Sequence, residues 1–158
     1  MSEQGASPQG TNVQNSAQFA LQRIYVKDVS FESPRSPECF REKWEPKINM
    51  ELNSRHTQIA DELFEVLLQV TVTAKREEDI VYLTEVQQAG IFLIKGISGP
   101  ALAQTLGSFC PNVLFPYARE AIDSLVLKGS FPALMLAPVN FDAIYEHAVK
   151  QKQAAEPH

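Results

Sequence analysis

The stretch "YLTEVQQAGIF", residues 82–92, decides the fold. Its Tyr82, Val86, Ile91 and Phe92 favour pleated backbone, so it reads as a strand. Successive side chains of a strand point to opposite faces. One face then carries Tyr82, Thr84, Val86 and Gln88, and the other carries Leu83, Glu85 and Gln87. Each face is part apolar and part polar. Such a strand has something to touch on both sides.

Upstream, the pattern stays strand-like. "FALQRIYVKDVSFE", residues 19–32, alternates, with Leu21, Arg23, Tyr25, Lys27, Val29 and Phe31 on one side and Ile24, Val26, Asp28, Ser30 and Glu32 on the other. "KINMELNS", residues 47–54, alternates through Ile48, Met50 and Leu52. "HTQIADELFEVLLQV", residues 56–70, is ambiguous, because Ile59, Leu63, Val66 and Val70 also fit a helical spacing. Its β-branched cluster favours a strand over residues 62–74. The short charged turn "KREED" leads from there into residues 82–92, which implies an antiparallel meander. Between the first two strands lies "SPRSPECFREKWEP", a connection punctuated by Pro34, Pro37 and Pro46. It nevertheless carries Phe40 and Trp44, which a solvated loop does not need.

Downstream, the period changes from strand to helix. Leu102, Leu106 and Phe109 follow a turn spacing, and Pro111 predicts a break or kink. After Pro116, placed in a first turn, Ala118, Ala121, Ile122, Leu125 and Val126 form an apolar stripe that ends at Gly129 as a cap. "NFDAIYEHAVKQ" reads as a last amphipathic helix with Asn140 as its N-cap and Phe141, Ile144, Tyr145, Ala148 and Val149 on the apolar face. Strands first and helices second give an α+β fold with segregated layers.

The chain has 158 residues, enough for one domain that buries roughly 70% of its unfolded surface. Residues 1–16, rich in Gln, Ser, Asn and Gly, read as a disordered tail, residues 17–150 as the folded domain, and residues 151–158 as a mobile C-terminal tail. A net charge of −5 argues against a nucleic-acid partner and suits a basic protein partner. Neither a leader peptide nor a membrane span is expected, which points to the cytoplasm.

Catalytic chemistry is not expected. His56, His147 and His158 stand far apart in sequence and at no ligand spacing with Cys39 or Cys110, which read as reduced thiols. "IKGISGP" has the wrong order and length for a phosphate loop. Asp28 and Glu32 share a strand face but stand too far apart for a close acid–base pair. Four aromatics sit in odd places: Phe40 and Trp44 in the proline-bounded connection, Phe131 in another, and Tyr145 on the last helix. As a set they suit the lining of an apolar groove.

"QRIYVKDVSFE", "EVQQAGIF", "FCPNVLFPYARE" and "LAPVNFDAIY" together resemble the SecB family of protein-export chaperones, in order, from Phe19 to Val149. The resemblance implies a four-stranded antiparallel sheet with two helices on one face. It also implies a cytoplasmic, ATP-independent holding chaperone with no cofactor and no metal. Such a protein binds unfolded precursors of exported proteins and delivers them to the motor SecA. Its implied assembly is a homotetramer, a dimer of dimers. Carried onto this chain, SecA contacts fall on Asp28, Glu32, Leu83 and Glu85, and positions influencing oligomer assembly fall on Thr84, Val86 and Gln88. The client groove falls on Phe40, Trp44, Tyr117, Phe141, Tyr145 and Val149. Thr84 replaces a frequent cysteine and Tyr145 a frequent phenylalanine, and the C-terminal stretch is shorter and less acidic than in some relatives. A SecB-like module dedicated to another partner, such as a toxin–antitoxin system, is the alternative.

Overall fold

The computed structural model describes residues 17–155. Expectations for residues 1–16 and 156–158 lie outside the described residues. Four strands run in chain order: β1 (Gln18–Glu32), β2 (Lys47–Ala60), β3 (Leu63–Arg76) and β4 (Asp79–Lys95). They form one antiparallel sheet in the order β1-β4-β3-β2. Tight turns join β2 to β3 and β3 to β4, with Glu62 and Glu77 in the left-handed region at φ 61° and 56°. The ambiguous segment divides at the first of these turns. Residues 56–60 finish β2, and β3 begins at Leu63.

Strand β3 buries Phe64, Val66, Leu68, Val70, Val72 and Ala74 on its inner face. Across the ladder they meet Phe92, Gly90, Gln88, Val86, Thr84 and Tyr82 of β4. The predicted division of residues 82–88 therefore holds, with the Tyr82–Thr84–Val86–Gln88 set facing inward.

Helices cover that inner face. Residues 99–128 form one continuous run made of α1 (Gly99–Gln104), a π turn (Thr105–Phe109) and α2 (Cys110–Lys128). The expected break at Pro111 does not occur. A proline ring crowds the carbonyl four residues back, and the wider π turn just before it relieves that crowding. Pro116 is likewise not a helix start. It lies inside α2, its side exposed, while Leu114, Phe115, Ala118, Ile122 and Val126 stay pressed onto the sheet. Fully burying each such large apolar side chain is worth about 1.5–3 kcal/mol, so the helix tolerates one missing hydrogen bond. Gly129 ends α2, as expected. A Cβ there would clash with the tip of the Phe31 ring, so any larger residue would push that ring aside.

A segment without regular secondary structure, residues 131–140, leads to α3 (Phe141–Ala155). Asn140 caps α3, as predicted, by accepting the Ala143 N–H at 3.0 Å. The helix runs on through residues 151–155, so the expected C-terminal tail does not begin at residue 151. Of its predicted apolar face only Phe141 is buried, while Tyr145 and Val149 are half-buried and Ile144 and Ala148 exposed.

Strand β1 also departs from simple alternation. Register shifts fall between Leu21 and Arg23 and between Val26 and Asp28. Each extra residue reverses the parity of the positions beyond it. Leu21, Val29 and Phe31 therefore lie opposite inward residues Phe92, Val86 and Thr84, whereas Arg23 and Tyr25 lie opposite Ile91 and Ala89 on the outer face.

Candidate functional site: an acidic sheet face and an aromatic rim

The outer face of the sheet gathers the first predicted set. Cross-strand partners share a face. Asp28 pairs with Gln87, Ser30 with Glu85, and Glu32 with Leu83, so Asp28, Glu32, Leu83 and Glu85 lie on one surface of two neighbouring strands. Asp28 and Glu32 are exposed, and Leu83 and Glu85 are half-buried. Thr71 Oγ1 on β3 donates to Glu85 Oε2 at 3.3 Å and fixes that carboxylate. This corner of the face gathers three carboxylates, while Arg23 and Lys27 of β1 share the same outer surface, Lys27 reaching Glu65 at 3.0 Å.

Thr84, Val86 and Gln88 lie on the opposite face, buried under the helices. The two polar members tie down the bulged edge strand. Thr84 Oγ1 donates to the Ser30 carbonyl at 2.9 Å, and Gln88 Nε2 donates to the Tyr25 carbonyl at 3.1 Å.

The aromatic set divides. Phe40, 49% exposed, and Trp44, 39% exposed, sit at one end of the inner layer. Their rings approach Phe131 at 5.3 and 5.4 Å, and Trp44 stacks over Tyr82 at 6.3 Å and 16°. Phe31 closes the cluster against Tyr82 and Phe131. Tyr145 belongs to the other end, where its ring covers Gly107 in the π turn. Phe141 packs edge-on against Phe115 at 5.8 Å and is core. Tyr117 is exposed on α2 and joins neither group. Among the described residues no ring pair links the Trp44 end to the Tyr145 end. What joins them along the chain is the segment 131–140. The Leu134 N–H donates to Asp123 Oδ1 of α2 at 3.0 Å, and Ser108 Oγ donates to Asp142 Oδ1.

Phe131 and Tyr82 join the aromatic rim; Phe131 is one of the four aromatics expected to line a groove, although not among the positions carried over from the family, and Tyr82 is in neither set. Phe131 is visible there as an oddly placed aromatic. Tyr82 is visible only as an inward position of β4, and its place under Trp44 depends on how the connection folds back.

Reactive chemistry is sparse. Among the described residues no three His, Cys, Asp or Glu side chains converge on a possible metal site. Burial pushes the Cys110 thiol up to about 12, which removes it as a nucleophile at neutral pH. No described helix is long and apolar enough to cross a membrane. Near the start of α3, Phe19, Ile97, Phe109 and Asp142 line an open groove of about 460 Å³.

Comparison with known proteins identifies the family. The family model "Preprotein translocase subunit SecB" matches residues 12–152. The protein-export protein SecB of Marinobacter nauticus is 62% identical over 144 residues, covering 91% of this chain and 87% of the relative. Its counterpart in Hahella chejuensis is 60% identical, covering 87% of each chain. A SecB-like chaperone of Mycobacterium tuberculosis, solved in complex with an antitoxin peptide, shares the fold with a TM-score of 0.62. It is 16% identical, over 77% of this chain and 87% of that one. The chain belongs to the SecB family of protein-export proteins.

Proposed function

We propose that this chain is an ATP-independent holding chaperone of protein export. It binds unfolded precursors in the cytoplasm, keeps them competent for translocation and passes them to SecA. It is not an enzyme. One observation carries the reading: the Asp28, Glu32 and Glu85 carboxylates with Leu83, and the exposed aromatic rim, lie on opposite faces of the same sheet. A client on the rim leaves the acidic face free, so holding and delivery do not compete for one surface. An acidic face suits a partner that docks through basic groups, by steering and register more than by raw affinity.

The client surface comprises Phe40 and Trp44 at one end and Tyr145 and Val149 at the other; of the two remaining expected residues, Phe141 is buried against Phe115 as core and Tyr117 stands apart on α2. The half-buried Tyr145 and Val149 on α3 support this, because among the described residues they remain only partly covered. Rims of this kind select exposed apolar segments rather than a sequence.

The assembly is a homotetramer, a dimer of dimers. Thr84, Val86 and Gln88 are buried, so they act on it indirectly, by holding β1 and the helices in place. The exposed side of α2, with Tyr117 and Leu127, is the surface it offers to another copy. The dedicated-partner alternative is not favoured: relatives named for export share 53–62% identity, whereas the antitoxin-bound chaperone shares 16%.

The test is co-elution with one exported precursor, presented unfolded and then folded, on a sizing column with light scattering. A complex of tetramer mass with only the unfolded form is expected. A tetramer that ignores both forms would overturn the holding role.

A further inference from the structure

The Trp44 cluster encloses a polar atom that the fold leaves unsatisfied. Tyr82 is fully buried, and among the described residues its hydroxyl is the buried side-chain polar atom without a hydrogen-bond partner. Groups like this are rare and call for a reason, since phenylalanine would fill the same space without an orphaned hydroxyl. The rings packed around it are Trp44, Phe31 and Phe131, which offer the hydroxyl no strong acceptor. Asp123 is close enough for its charge to be felt, but neither of its carboxylate oxygens is within hydrogen-bond reach of the hydroxyl.

The cover over Tyr82 is thin on one side. Phe131 is buried, but Trp44 is partly exposed and rides on the 33–46 connection. That connection is held to β3 and β4 by exposed polar ties of the kind that contribute little each: Arg76 to Glu42 at 3.0 Å and to the Lys43 carbonyl at 3.3 Å, and Arg35 to Asp79 at 3.5 Å. It can therefore shift at small cost.

An unfolded polypeptide arrives with unpaired backbone groups. Seated against apolar rings, each of its carbonyls needs a donor. A phenol supplies one. Resting on the holding-chaperone reading, we propose that the Tyr82 hydroxyl donates a hydrogen bond to a backbone carbonyl of the bound unfolded segment, reached when Trp44 moves aside. The rings then select apolar side chains, and the hydroxyl selects an extended peptide backbone over apolar molecules that lack one.

The experiment compares the full chain with its Tyr82→Phe variant. The probes are a soluble synthetic peptide of alternating Phe and Ser flanked by Lys, an ester scan of that peptide, and the apolar dye anilinonaphthalene sulfonate. Each ester weakens one carbonyl acceptor. Tyr82→Phe should bind the peptide about two- to tenfold more weakly, the range for one neutral hydrogen bond. It should bind the dye unchanged and melt at the same or a higher temperature. One ester position should weaken binding to the parent while leaving Tyr82→Phe unaffected. Equal peptide affinity of the two proteins would overturn the proposal. So would a lower melting temperature, which would mean that the hydroxyl has an internal partner, or a parallel loss of dye. A parent that binds no peptide would sink the holding-chaperone reading itself, and the two failures are distinguishable.

Discussion

Tyr25 and Glu65 meet across β4: the Tyr25 hydroxyl on β1 donates to Glu65 Oε2 on β3, with the central strand between them. Lys27 Nζ reaches the same carboxylate at 3.0 Å. The bulge between Val26 and Asp28 makes this possible, because it leaves the bulged strand an extra residue beside the pair. The result is a brace from the edge strand to the interior of the sheet, on the outer face.

The brace predicts a pH dependence. The Tyr25 hydrogen bond, then Lys27, hold the Glu65 carboxyl below its ordinary value, against a smaller effect of burial. Glu65 therefore contributes stability that is complete above the usual carboxylate range and fades as pH falls through its lower folded value. Tyr25 runs the other way. Burial, then the bond to Glu65, push it up to about 12, so its contribution is complete below pH 10 and is lost as pH rises toward 12. Glu65→Gln should flatten the acid limb of a plot of melting temperature against pH. An acid limb unchanged in that variant would refute the brace.

The acidic face predicts a separation of binding from folding. Glu85→Lys reverses a charge on the ladder that also carries Asp28 and Glu32. Association with purified SecA should weaken about tenfold at low salt, with a smaller difference at high salt, as expected for a steering charge. The melting temperature should move little, because Glu85 loses only the 3.3 Å contact from Thr71. Unchanged SecA association would show that the partner docks elsewhere.

Much of this arrangement is legible in the chain. Period-two alternation in β3 and β4 sorts their residues into two faces, but apolar residues on both parities of β4 leave open from the residues alone which face the helices cover. Strand β1 cannot be read in the same way. Its two bulges reverse parity inside one alternating run, and neither falls at a glycine or proline. Pro111 and Pro116 mislead because the local cost of proline is plain in sequence, whereas the sheet burial that outweighs it is not. The aromatic set is legible as a set, but its partition into Trp44 and Tyr145 ends depends on where two connections fold back.

That partition predicts different outcomes for neighbouring aromatics. Trp44→Ala should lower client capture and leave stability nearly intact, because the ring is already partly in water. Phe131→Ala should cost about 3–5 kcal/mol, since its buried ring is the hub that Phe31, Phe40, Trp44 and Tyr82 share. Urea unfolding of both variants, beside a client-binding assay, checks this. Equal destabilisation by the two would make Trp44 a core residue and remove it from the client surface.

Gly107 carries the last prediction. It lies in the π turn, and a Cβ built there would stand 2.7 Å from two carbons of the Tyr145 ring. One edge of the ring lies against the Gly107 main chain, and that contact, with Phe141 on Phe115, Ser108 to Asp142 and the Asn140 cap, seats α3. In Gly107→Ala the ring must move, and overpacking of this kind costs about 1–3 kcal/mol. Because α3 buries only Phe141 fully, the strain should release locally by loosening the helix rather than by unfolding the sheet. Hydrogen exchange should then quicken in α3 while the amides of β3 and β4 keep their protection. Uniform loss of protection across the sheet would mean that α3 is part of the cooperative core. The client surface at the Tyr145 end would then be a rigid wall rather than a movable one.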